Sequence, residues 1–449
     1  MAECNGLDKT FLEHHKQQLR TSGVPAHFWP TLFKKLLAQV YDAGECFQLC
    51  QLTYSEGDSD QGDPLWRVIV IRPEGVKASN PDHVFIIDHA WSYRAREARQ
   101  CLVEIPGLLE RMVGLMDIPR EENTQEEIVE KVMREMWKYN STYSIAGKSA
   151  EESLPVWYIM DEFGARIQHC AEPSFRVVPF YFSPHQCCYS LLFPVQDVDE
   201  GEEVTRNYVE GPPMDSLTLE ALLLPWSAED VTHVDPRQEE PPSDFFLGGR
   251  INETMAVESV EAADLPSHRP LKIYAQYAYV RNYLTDARFA VTESREEADI
   301  LWLMEHFKDF KSLRENPSCR VNQYPFEHLI TIKDLQAVVC RRAGRLGGRE
   351  GEADSPAWLP LTFCLKRELM KFASLYQRRE KRGEDNHWII KPWNLARGLD
   401  HTITNNLNHI IAQKYISDPV LFLREDIDVK VKFDIRYIVM LLSVKPLKI

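Results

Sequence analysis

The spacing of apolar residues predicts a front part of the chain that mixes helices with short strands. Apolar positions three and four residues apart indicate helices, and short apolar runs bounded by Gly, Pro and Asp indicate strands. The predicted helices span residues 7–19, 28–41, 92–101, 103–116 and 121–138. The predicted strands span residues 47–54, 66–71 and 83–88, followed by short apolar runs across residues 154–208. This mixture is typical of a small, loop-rich β domain with helices attached to it.

The pattern changes at residues 225–270, which are acidic and rich in proline and which we interpret as an irregular connector. Beyond the connector, strands and helices alternate as they do in an α/β layer. The predicted strands of this back part span residues 271–274, 298–304, 361–365, 388–391, 412–416 and 433–443, and its predicted helices span residues 277–286, 332–345 and 366–382. The apolar run at residues 437–444 is too short to cross a membrane, and we expect it to be a buried strand.

The composition is that of a globular protein of two or three domains, with 449 residues of which 44% are hydrophobic and 27% charged. The chain has no long apolar run and its first residues lack the pattern of a secretory signal, so we expect no membrane partner. The ten cysteines include no CxxC pair. This predicts reduced thiols rather than a zinc site or a disulfide framework.

Charge is distributed unevenly between the two parts of the chain. The net charge is −16, yet residues 271–449 contain 29 Lys and Arg against 23 Asp and Glu, which leaves 23 against 45 in front of them. An acidic protein of this kind is not expected to bind nucleic acid directly, because phosphate binding requires a basic surface. The basic back part suits an acidic partner. Ordinary solvated surfaces of unequal charge would give the same counts.

Two polar segments in the back part contain the residue types that a nucleotide site needs. In HWIIKPWNLARGLD, residues 387–400, an apolar strand carries Lys391 into a loop with Gly and Arg, which suits phosphate binding. A Lys-Pro pair after a strand is also common at structural positions. In KFDIRYIV, strand alternation would place Lys432, Asp434 and Arg436 on one face. Such a face predicts either a polar cleft or an exposed side of a sheet.

These segments belong to a longer ordered set that resembles tubulin tyrosine ligase and its relatives. The set consists of VNQYP, ITIKDL, WLPLTFCL, WIIKPWNLARG, QKYI and KFDIRY, in this order between residues 321 and 437. The resemblance implies an ATP-grasp fold, in which two α/β subdomains hold ATP between them. In active relatives ATP and Mg²⁺ activate a carboxylate of a tubulin tail, which an amino acid then attacks.

The resemblance also implies which residues would bind ATP, whereas it identifies no catalytic residue and no metal ligand in this chain. The implied ATP-binding residues are Lys391 for the phosphates, Gln413, Lys414, Tyr415, Ile416 and Ser417 for the adenine and its hinge, and Lys432, Asp434 and Arg436 for the ribose and phosphates. The chain departs from the family at residues 398–401, where Asp400 would repel phosphate. The family's late metal ligands lie beyond the KFDIR segment, so we expect an incomplete ATP-grasp domain that binds Mg²⁺ only with the missing part.

The front part contains two segments that resemble the late motifs of SET lysine methyltransferases. These segments are RIQHCAEPS at residues 166–174 and DVDEGEEVTRNY at residues 197–208. The residues that match the SET motifs are His169, Pro173, Gly201, Glu202, Glu203 and Tyr208. Gln168 and Ser174 replace the usual asparagines, and we find no Gly-x-Gly loop for S-adenosylmethionine. We therefore expect a folded but inactive SET-like module, with a working methyltransferase and a chance similarity as the alternatives.

Together these observations predict a multidomain protein of mixed α+β and α/β class. The predicted domains are a helical and β region at residues 1–80, a SET-like domain at 81–224, the connector at 225–270 and a truncated tubulin-tyrosine-ligase-like ATP-grasp domain at 271–449. The preferred function is a non-catalytic or weakly catalytic regulator that binds tubulin and modulates the modification of its tails. The alternatives are an active ATP-dependent amino-acid ligase on tubulin and a SET-type histone methyltransferase or regulator of histone methylation.

The predicted partners follow from the same two halves. Tubulin is expected at the ligase-like half, where the basic clusters at residues 341–349 and 378–382 would attract an acidic tail. Chromatin or signalling proteins are expected at the SET-like half. The expected location is the cytoplasm, with association to microtubules, centrosomes and the nucleus as further expectations.

Overall fold

The computed structural model of the protein divides into two compact units, Met1–Glu229 and Asp230–Ile449. The residues that it describes are 9–52, 65–119, 124–144, 155–211, 215–227, 229–247, 252–255, 263–346, 355–392, 410–435, 437, 439–444 and 446–449. Among these residues, no helix combines the length and the apolar character needed to cross a lipid bilayer.

The first unit mixes helices with short sheets, of which all but one two-stranded pair are antiparallel among the described residues. Its helices are α1 (Lys9–Thr21), α2 (Trp29–Ala38), α3 (Ala98–Glu104), α4 (Leu108–Leu115), α5 (Gln125–Glu135) and α6 (Ser216–Ser227). Its strands are β1 (Phe47–Leu52), β2 (Leu65–Val70), β3 (Phe85–Ile87), β4 (His89–Tyr93), β5 (Asn140–Tyr143), β6 (Val156–Met160), β7 (Gln168–His169), β8 (Phe175–Phe182), β9 (Cys187–Pro194) and β10 (Thr205–Arg206).

The sheet β3-β9-β8 forms the centre of the first unit. Its middle strand β9 is buried along nearly its whole length, as expected for a strand with neighbours at both edges and cover on both faces. Helices α1 and α2 cover one of these faces. In α1, Phe11, His15 and Leu19 follow one another at a spacing of four residues, so they share the face that packs on this sheet.

A second sheet, β4-β6-β5, packs with helices α3, α4 and α5 around a separate apolar core. Helix α5 begins with a capping box, in which the Thr124 side chain accepts from the Glu127 backbone and the Glu127 carboxylate accepts from the Thr124 backbone. Strands β7 and β10 pair in parallel, with Gln168 opposite Thr205 and His169 opposite Arg206. This short pair brings the two SET-like motifs together.

The described residues of the second unit form one parallel sheet, one three-stranded antiparallel sheet and two short antiparallel hairpins. Its helices are α7 (Asp244–Leu247), α8 (Ala278–Tyr283), α9 (His328–Thr331), α10 (Lys333–Leu346) and α11 (Leu365–Lys381). Its strands are β11 (Leu271–Ala275), β12 (Phe289–Val291), β13 (Ile300–Trp302), β14 (Arg320–Val321), β15 (Thr362–Cys364), β16 (Trp388–Pro392), β17 (Ile410–Lys414), β18 (Phe422–Arg424), β19 (Val429–Val431), β20 (Ser443–Val444) and β21 (Leu447–Lys448). The parallel sheet has the order β12-β11-β13-β14, and the antiparallel sheet has the order β15-β17-β16.

The first part of the connector, which includes a turn at residues 231–234, is bound to α11 by hydrogen bonds. Gln377 accepts a hydrogen bond from the Val231 amide through its side-chain oxygen, and Ser374 Oγ donates to the Val234 carbonyl. Arg378 donates to the carbonyls of Thr232 and Val234 at 2.8 and 2.9 Å. The first part of the predicted irregular connector is therefore a fixed strap on the second unit. We call residues 230–240 the strap.

Two elements of the front part differ from their prediction. Ser92 and Tyr93 lie in strand β4 rather than at the start of a helix, because β4 pairs with β6 and this pairing overrides the helical pattern. The predicted helix 103–116 is also interrupted. Helix α3 ends at Glu104 and α4 begins at Leu108, because Pro106 has no amide hydrogen and Gly107 adopts a left-handed conformation with φ of 78°.

The predicted strand at residues 433–443 is the largest error. The described residues from Phe433 to Leu442 have no strand, and the side chains of Tyr437, Val439, Met440 and Leu442 are exposed rather than buried. A strand forms when a neighbouring strand satisfies its backbone groups, and no described residue supplies one here. Only the short local hairpins β18-β19 and β20-β21 form in this region of the described chain.

His89 is a buried histidine that we expect to make the first unit sensitive to acid. Its ring stacks on Tyr158 with 3.9 Å between centroids, Nε2 lies 3.0 Å from Ser190 Oγ, and burial lowers the pKa of His89 to about 3. The unfolded chain takes up this proton near pH 6.5, so stability is fully present above that pH and decreases below it. We expect the free energy of unfolding to fall by roughly 2 kcal/mol between pH 7.5 and pH 5 through His89 alone.

Urea unfolding at the two pH values measures this effect, with His89→Gln as the comparison. The glutamine cannot take up a proton, so the variant should show a pH dependence smaller by about that amount. Equal pH dependence in the two proteins would show that His89 does not control the acid response.

Candidate functional site

Lys391 and Gln413 lie side by side on the antiparallel sheet of the second unit. In the register of β16 and β17, Lys391 is opposite Ile411 and Ile389 is opposite Gln413, so the side chains of Ile389, Lys391 and Gln413 share one face. Lys391 Nζ donates to Gln413 Oε1 at 2.8 Å, and Gln413 Nε2 donates to Thr362 Oγ1 at 3.0 Å. The opposite face of this sheet carries Phe363, Ile390 and Ala412 and packs on α11. The sheet thus has one polar face and one core face.

Lys333, the first residue of α10, belongs to the same polar site. Burial lowers the pKa of Lys333, and the positive charge of Lys391 lowers it further. Two ammonium groups that repel each other next to a side-chain amide form a place where an anion would be stabilised. We did not predict Lys333 as a site residue, although it lies in the ITIKDL segment that carries the family resemblance.

Lys414 and Ser417 are part of a separate hydrogen-bonded group around Asp385. Lys414 Nζ binds a carboxylate oxygen of Asp385 and donates to the carbonyls of His387 and Tyr415, each at 3.1 Å. Ser417 Oγ donates to Asp385 Oδ2 at 2.9 Å. Hydrogen bonds from His387, Lys414 and Ser417 hold the pKa of Asp385 far below its usual range. Lys414 and Ser417 therefore fix the end of β17.

The segment after β17 has one backbone position that an adenine could use. The Lys414 amide donates to the Leu361 carbonyl and the Tyr415 amide donates to the His387 carbonyl, so both are satisfied within the sheet. Ile416 is exposed, and neither of its backbone groups has a hydrogen-bond partner among the residues that the structure describes. This backbone is suited to pair with the edge of a base.

Lys432 contacts Tyr415. Its ammonium lies 4.5 Å from the centroid of the Tyr415 ring and donates to the Tyr415 hydroxyl, which is a cation–π contact combined with a hydrogen bond. Asp434 is exposed, and Arg436 and the loop at residues 393–409, including Asp400, lie outside the described residues. The structure thus brings Lys432 to the end of β17, without the strand on which we expected it.

The basic clusters that we expected to bind an acidic tail are engaged by the protein itself. Arg342 pairs with Glu240, and Arg345 donates to the Gln238 carbonyl at 2.8 Å. Arg341 is buried beside Glu368. Arg342 and Arg345 face the strap, where the Glu240 carboxylate and the Gln238 carbonyl already bind them. Their side chains remain 53% and 36% exposed, so the attraction of an acidic tail to this cluster stays a prediction.

The second basic cluster, at residues 378–382, is engaged in the same way. Arg378 binds the strap through the two carbonyls named above, and Lys381 Nζ lies 2.6 Å from Asp230 Oδ2. Arg379 and Arg382 pair with Glu384, with shortest distances of 3.7 and 2.8 Å. Lysine and arginine counts indicated a binding surface, whereas the structure shows internal ion pairs.

In the first unit, the SET-like motif residues meet at the β7–β10 pair. The Tyr208 amide donates to His169 Nδ1 at 3.1 Å, and the Tyr208 hydroxyl donates to the Ile167 carbonyl at 3.0 Å. The Arg206 guanidinium lies 4.7 Å from the centroid of the Tyr208 ring, and burial raises the pKa of Tyr208. Glu203 accepts two hydrogen bonds from Arg67. These contacts hold the two motifs together and leave the tyrosine hydroxyl bonded to backbone.

The front and the back half of the chain each match a family of known proteins. A family model described as "Tubulin tyrosine ligase SET-like domain" matches residues 58–230, and a model described as "Tubulin-tyrosine ligase family" matches residues 311–449. The protein thus belongs to a class in which a SET-like domain is joined to a tubulin-tyrosine-ligase domain, and both contain helices and sheets. The predicted combination of these two domains is confirmed.

Individual relatives narrow this assignment. Tubulin–tyrosine ligase-like protein 12 of Homo sapiens is 44% identical over 98% of this chain and 71% of its own length. Tubulin polyglutamylase TTLL5 of Homo sapiens is 30% identical over 38% of this chain and 13% of its own. The Neurospora SET domain protein DIM-5, a histone lysine methyltransferase, aligns over 40% of this chain and 58% of its own at 14% identity, with a TM-score of 0.24 that is too low to support any conclusion. The chain belongs to the tubulin–tyrosine ligase-like family.

Proposed function

We propose that this protein is a non-catalytic or weakly catalytic regulator of tubulin modification that binds ATP at its ligase-like half. The observation that carries the proposal is the hydrogen bond of Lys391 to Gln413 on the polar face of β16 and β17, with Lys333 of α10 close enough for its charge and that of Lys391 to interact. Two neighbouring ammonium groups suit the phosphates of a nucleotide. The names of the relatives, which refer to tubulin ligation, support tubulin as the protein partner.

The proposed ATP site assigns a role to each part of this face. Lys391 and Lys333 would neutralise the phosphates, and the backbone of Ile416 would receive the adenine. Lys432, which contacts Tyr415, would approach the ribose or the phosphates. An ATP-grasp arrangement of residues 271–449 fits this assignment, because the antiparallel sheet β15-β17-β16 would form one wall of the nucleotide cleft.

A regulatory role is favoured over full ligase activity by the residue at the glycine-rich loop. Asp400 adds a negative charge where the family resemblance implies phosphate contact. This charge would disfavour the phosphate arrangement needed for phosphoryl transfer more than it would disfavour weak binding of ATP. With this charge at the loop, the ligase-like half would hold nucleotide and tubulin without efficient chemistry.

ATP binding is tested by titrating the full chain with a fluorescent ATP analogue. We expect Lys391→Ala to weaken binding by about 10- to 100-fold, because a charge-assisted contact to phosphate contributes about 1.5–3 kcal/mol. Lys366→Ala is the matched control, since Lys366 is an exposed lysine of α11 in the same unit. Equal affinity of both variants, or no binding by the wild-type chain, would contradict the proposed site.

A transfer assay distinguishes the regulator from the ligase. Purified tubulin, ATP and radiolabelled tyrosine or glutamate are incubated with the wild-type chain and with Lys391→Ala. A regulator binds tubulin in a pull-down and gives no incorporation above background. Clear incorporation that disappears in Lys391→Ala would overturn the regulator proposal in favour of the ligase.

The SET-like half is proposed to mediate protein contacts, including contacts to chromatin or signalling proteins, rather than methyl transfer. The Tyr208 hydroxyl is already bonded to the Ile167 carbonyl, so it is not available to a substrate amine in this arrangement. Calorimetric titration with S-adenosylmethionine is the direct measurement, and tight binding would restore the methyltransferase hypothesis.

A further inference from the structure

We propose that Glu253, His306 and His328 form a zinc site in the second unit. One potential ligand atom from each of these three residues lies within 4.8 Å of the other two. They come from separate parts of the chain: the connector, the loop after β13, and the start of α9. The site is independent of the proposed nucleotide function.

The geometry places the carboxylate between the two imidazoles. Glu253 Oε1 lies 2.7 Å from His306 Nε2 and 3.5 Å from His328 Nδ1. In a tetrahedral zinc site with bonds of about 2.0–2.1 Å, neighbouring ligand atoms are roughly 3.3 Å apart. The two observed distances lie on either side of this spacing, so small movements of the side chains would allow all three atoms to coordinate one metal ion.

His328 supplies a second, independent indication that the cluster binds a ligand. Its side chain is 3% exposed, and its Nδ1 has no hydrogen-bond partner in the described part of the chain although it points towards Glu253. A buried ring nitrogen without a partner costs free energy. Coordination of a metal ion would satisfy this nitrogen, which the surrounding residues leave unsatisfied.

Further contacts orient the three ligands. Glu253 has a fully buried side chain, and its second oxygen Oε2 accepts a hydrogen bond from the Phe326 amide at 2.8 Å. Glu327 Oε1 lies 3.7 Å from His306 Nδ1, on the side of the ring opposite Glu253. A carboxylate next to the non-ligating nitrogen of a histidine is the usual support of a zinc ligand, because it fixes the tautomer that leaves Nε2 able to bind.

The segment that carries Glu253 is held close to the other ligands by its neighbour. The Thr254 amide donates to the Lys308 carbonyl at 2.8 Å, and Thr254 Oγ1 donates to Asp309 Oδ1 at 2.6 Å. The ligand set of two imidazoles and one carboxylate suits zinc. Three protein ligands leave the fourth position to water, and the partly exposed His306 side chain marks the side from which water would reach it.

The experiment measures metal binding by the full chain. The metal-stripped protein is titrated with Co²⁺, whose visible absorption reports tetrahedral coordination, and then with Zn²⁺ in competition with a chromophoric chelator. We expect one equivalent of zinc to bind and to raise the midpoint of thermal unfolding. His306→Ala and His328→Ala should each abolish the cobalt spectrum and the thermal shift.

Two further variants separate ligand loss from misfolding. Glu327→Gln leaves all three ligands in place and should weaken zinc binding by about 10- to 100-fold with unchanged stoichiometry. His268→Ala removes an exposed histidine of the same unit and should bind zinc like the wild type. No zinc bound by the wild-type chain, or zinc bound by His306→Ala and His328→Ala as tightly as by the wild type, would overturn the proposal.

Discussion

Asp117→Ala is expected to lower the free energy of unfolding of the first unit by about 3 kcal/mol, because it leaves a buried guanidinium without its counter-charge. Arg166 is 7% exposed and binds both carboxylate oxygens of Asp117, at 2.5 and 3.1 Å. The Arg166 guanidinium also lies 4.0 Å from the centroid of the Trp66 ring. After the substitution, the Trp66 ring and the carbonyls of Gly114 and Leu115 would remain beside the charge, with no carboxylate paired to it among the described residues. Equilibrium urea unfolding of the full chain, followed by tryptophan fluorescence, measures the change.

Two variants test whether the buried charge is the cause. Asp117→Asn keeps hydrogen-bonding capacity and tolerates the left-handed backbone at this position, where φ is 53°, so it should cost less than the alanine. Glu130→Ala removes an exposed partner of Arg99 and should cost less than about 1 kcal/mol. A loss for Asp117→Ala no larger than the loss for Glu130→Ala would show that Arg166 does not depend on this pair.

Local patterns in the sequence predicted those helices and strands that depend on residues only a few positions apart. Helix α1 follows from the four-residue spacing of Phe11, His15 and Leu19, and α11 follows from a long amphipathic pattern between a buried strand and Gly383. Strands β1 and β2 were expected within a few residues of their observed ends. In these elements, the same residues that set the local conformation also form the buried face.

The errors in the fold come from interactions between distant residues. Tyr93 has a helical pattern around it, yet it pairs with Trp157 across two strands. The alternation at residues 432–437 is a strand pattern, yet a strand needs a partner that the sequence pattern cannot specify. Both cases show that the spacing of apolar residues does not by itself determine whether a neighbouring strand is present to form hydrogen bonds.

The candidate site was predicted only in part, because it too depends on contacts between residues that are distant in the sequence. The family resemblance implied that Lys391 and Gln413 belong to one site, and the structure joins their side chains by a hydrogen bond, whereas the binding of a nucleotide there stays a prediction. Lys333 lies 58 positions before Lys391 and joins it only through the packing of α10 near the sheet. The arginines at 341–345 show the limit of charge counts, because a count cannot distinguish a surface that attracts a partner from one already neutralised by the strap.

Phe363→Ala is expected to destabilise the second unit by about 3–5 kcal/mol and to disrupt the proposed nucleotide site at the same time. Phe363 is 0% exposed in β15, opposite Ala412 of β17, and its ring lies 5.7 and 6.0 Å from the rings of Phe372 and Trp388. Removing the ring leaves a cavity between the sheet and α11 that the neighbouring aromatic rings cannot fill without moving.

The loss should extend to the polar face because β15 pairs directly with the strand that holds Gln413. We expect urea unfolding to report the loss of stability and the fluorescent ATP analogue to bind more weakly than it binds the wild-type chain. Phe422→Ala is the matched control, since this ring is 59% exposed in a hairpin and its removal should change stability by less than about 0.5 kcal/mol. Normal ATP affinity in a destabilised Phe363→Ala would show that the nucleotide does not depend on this sheet, and the site would then have to lie elsewhere in the chain.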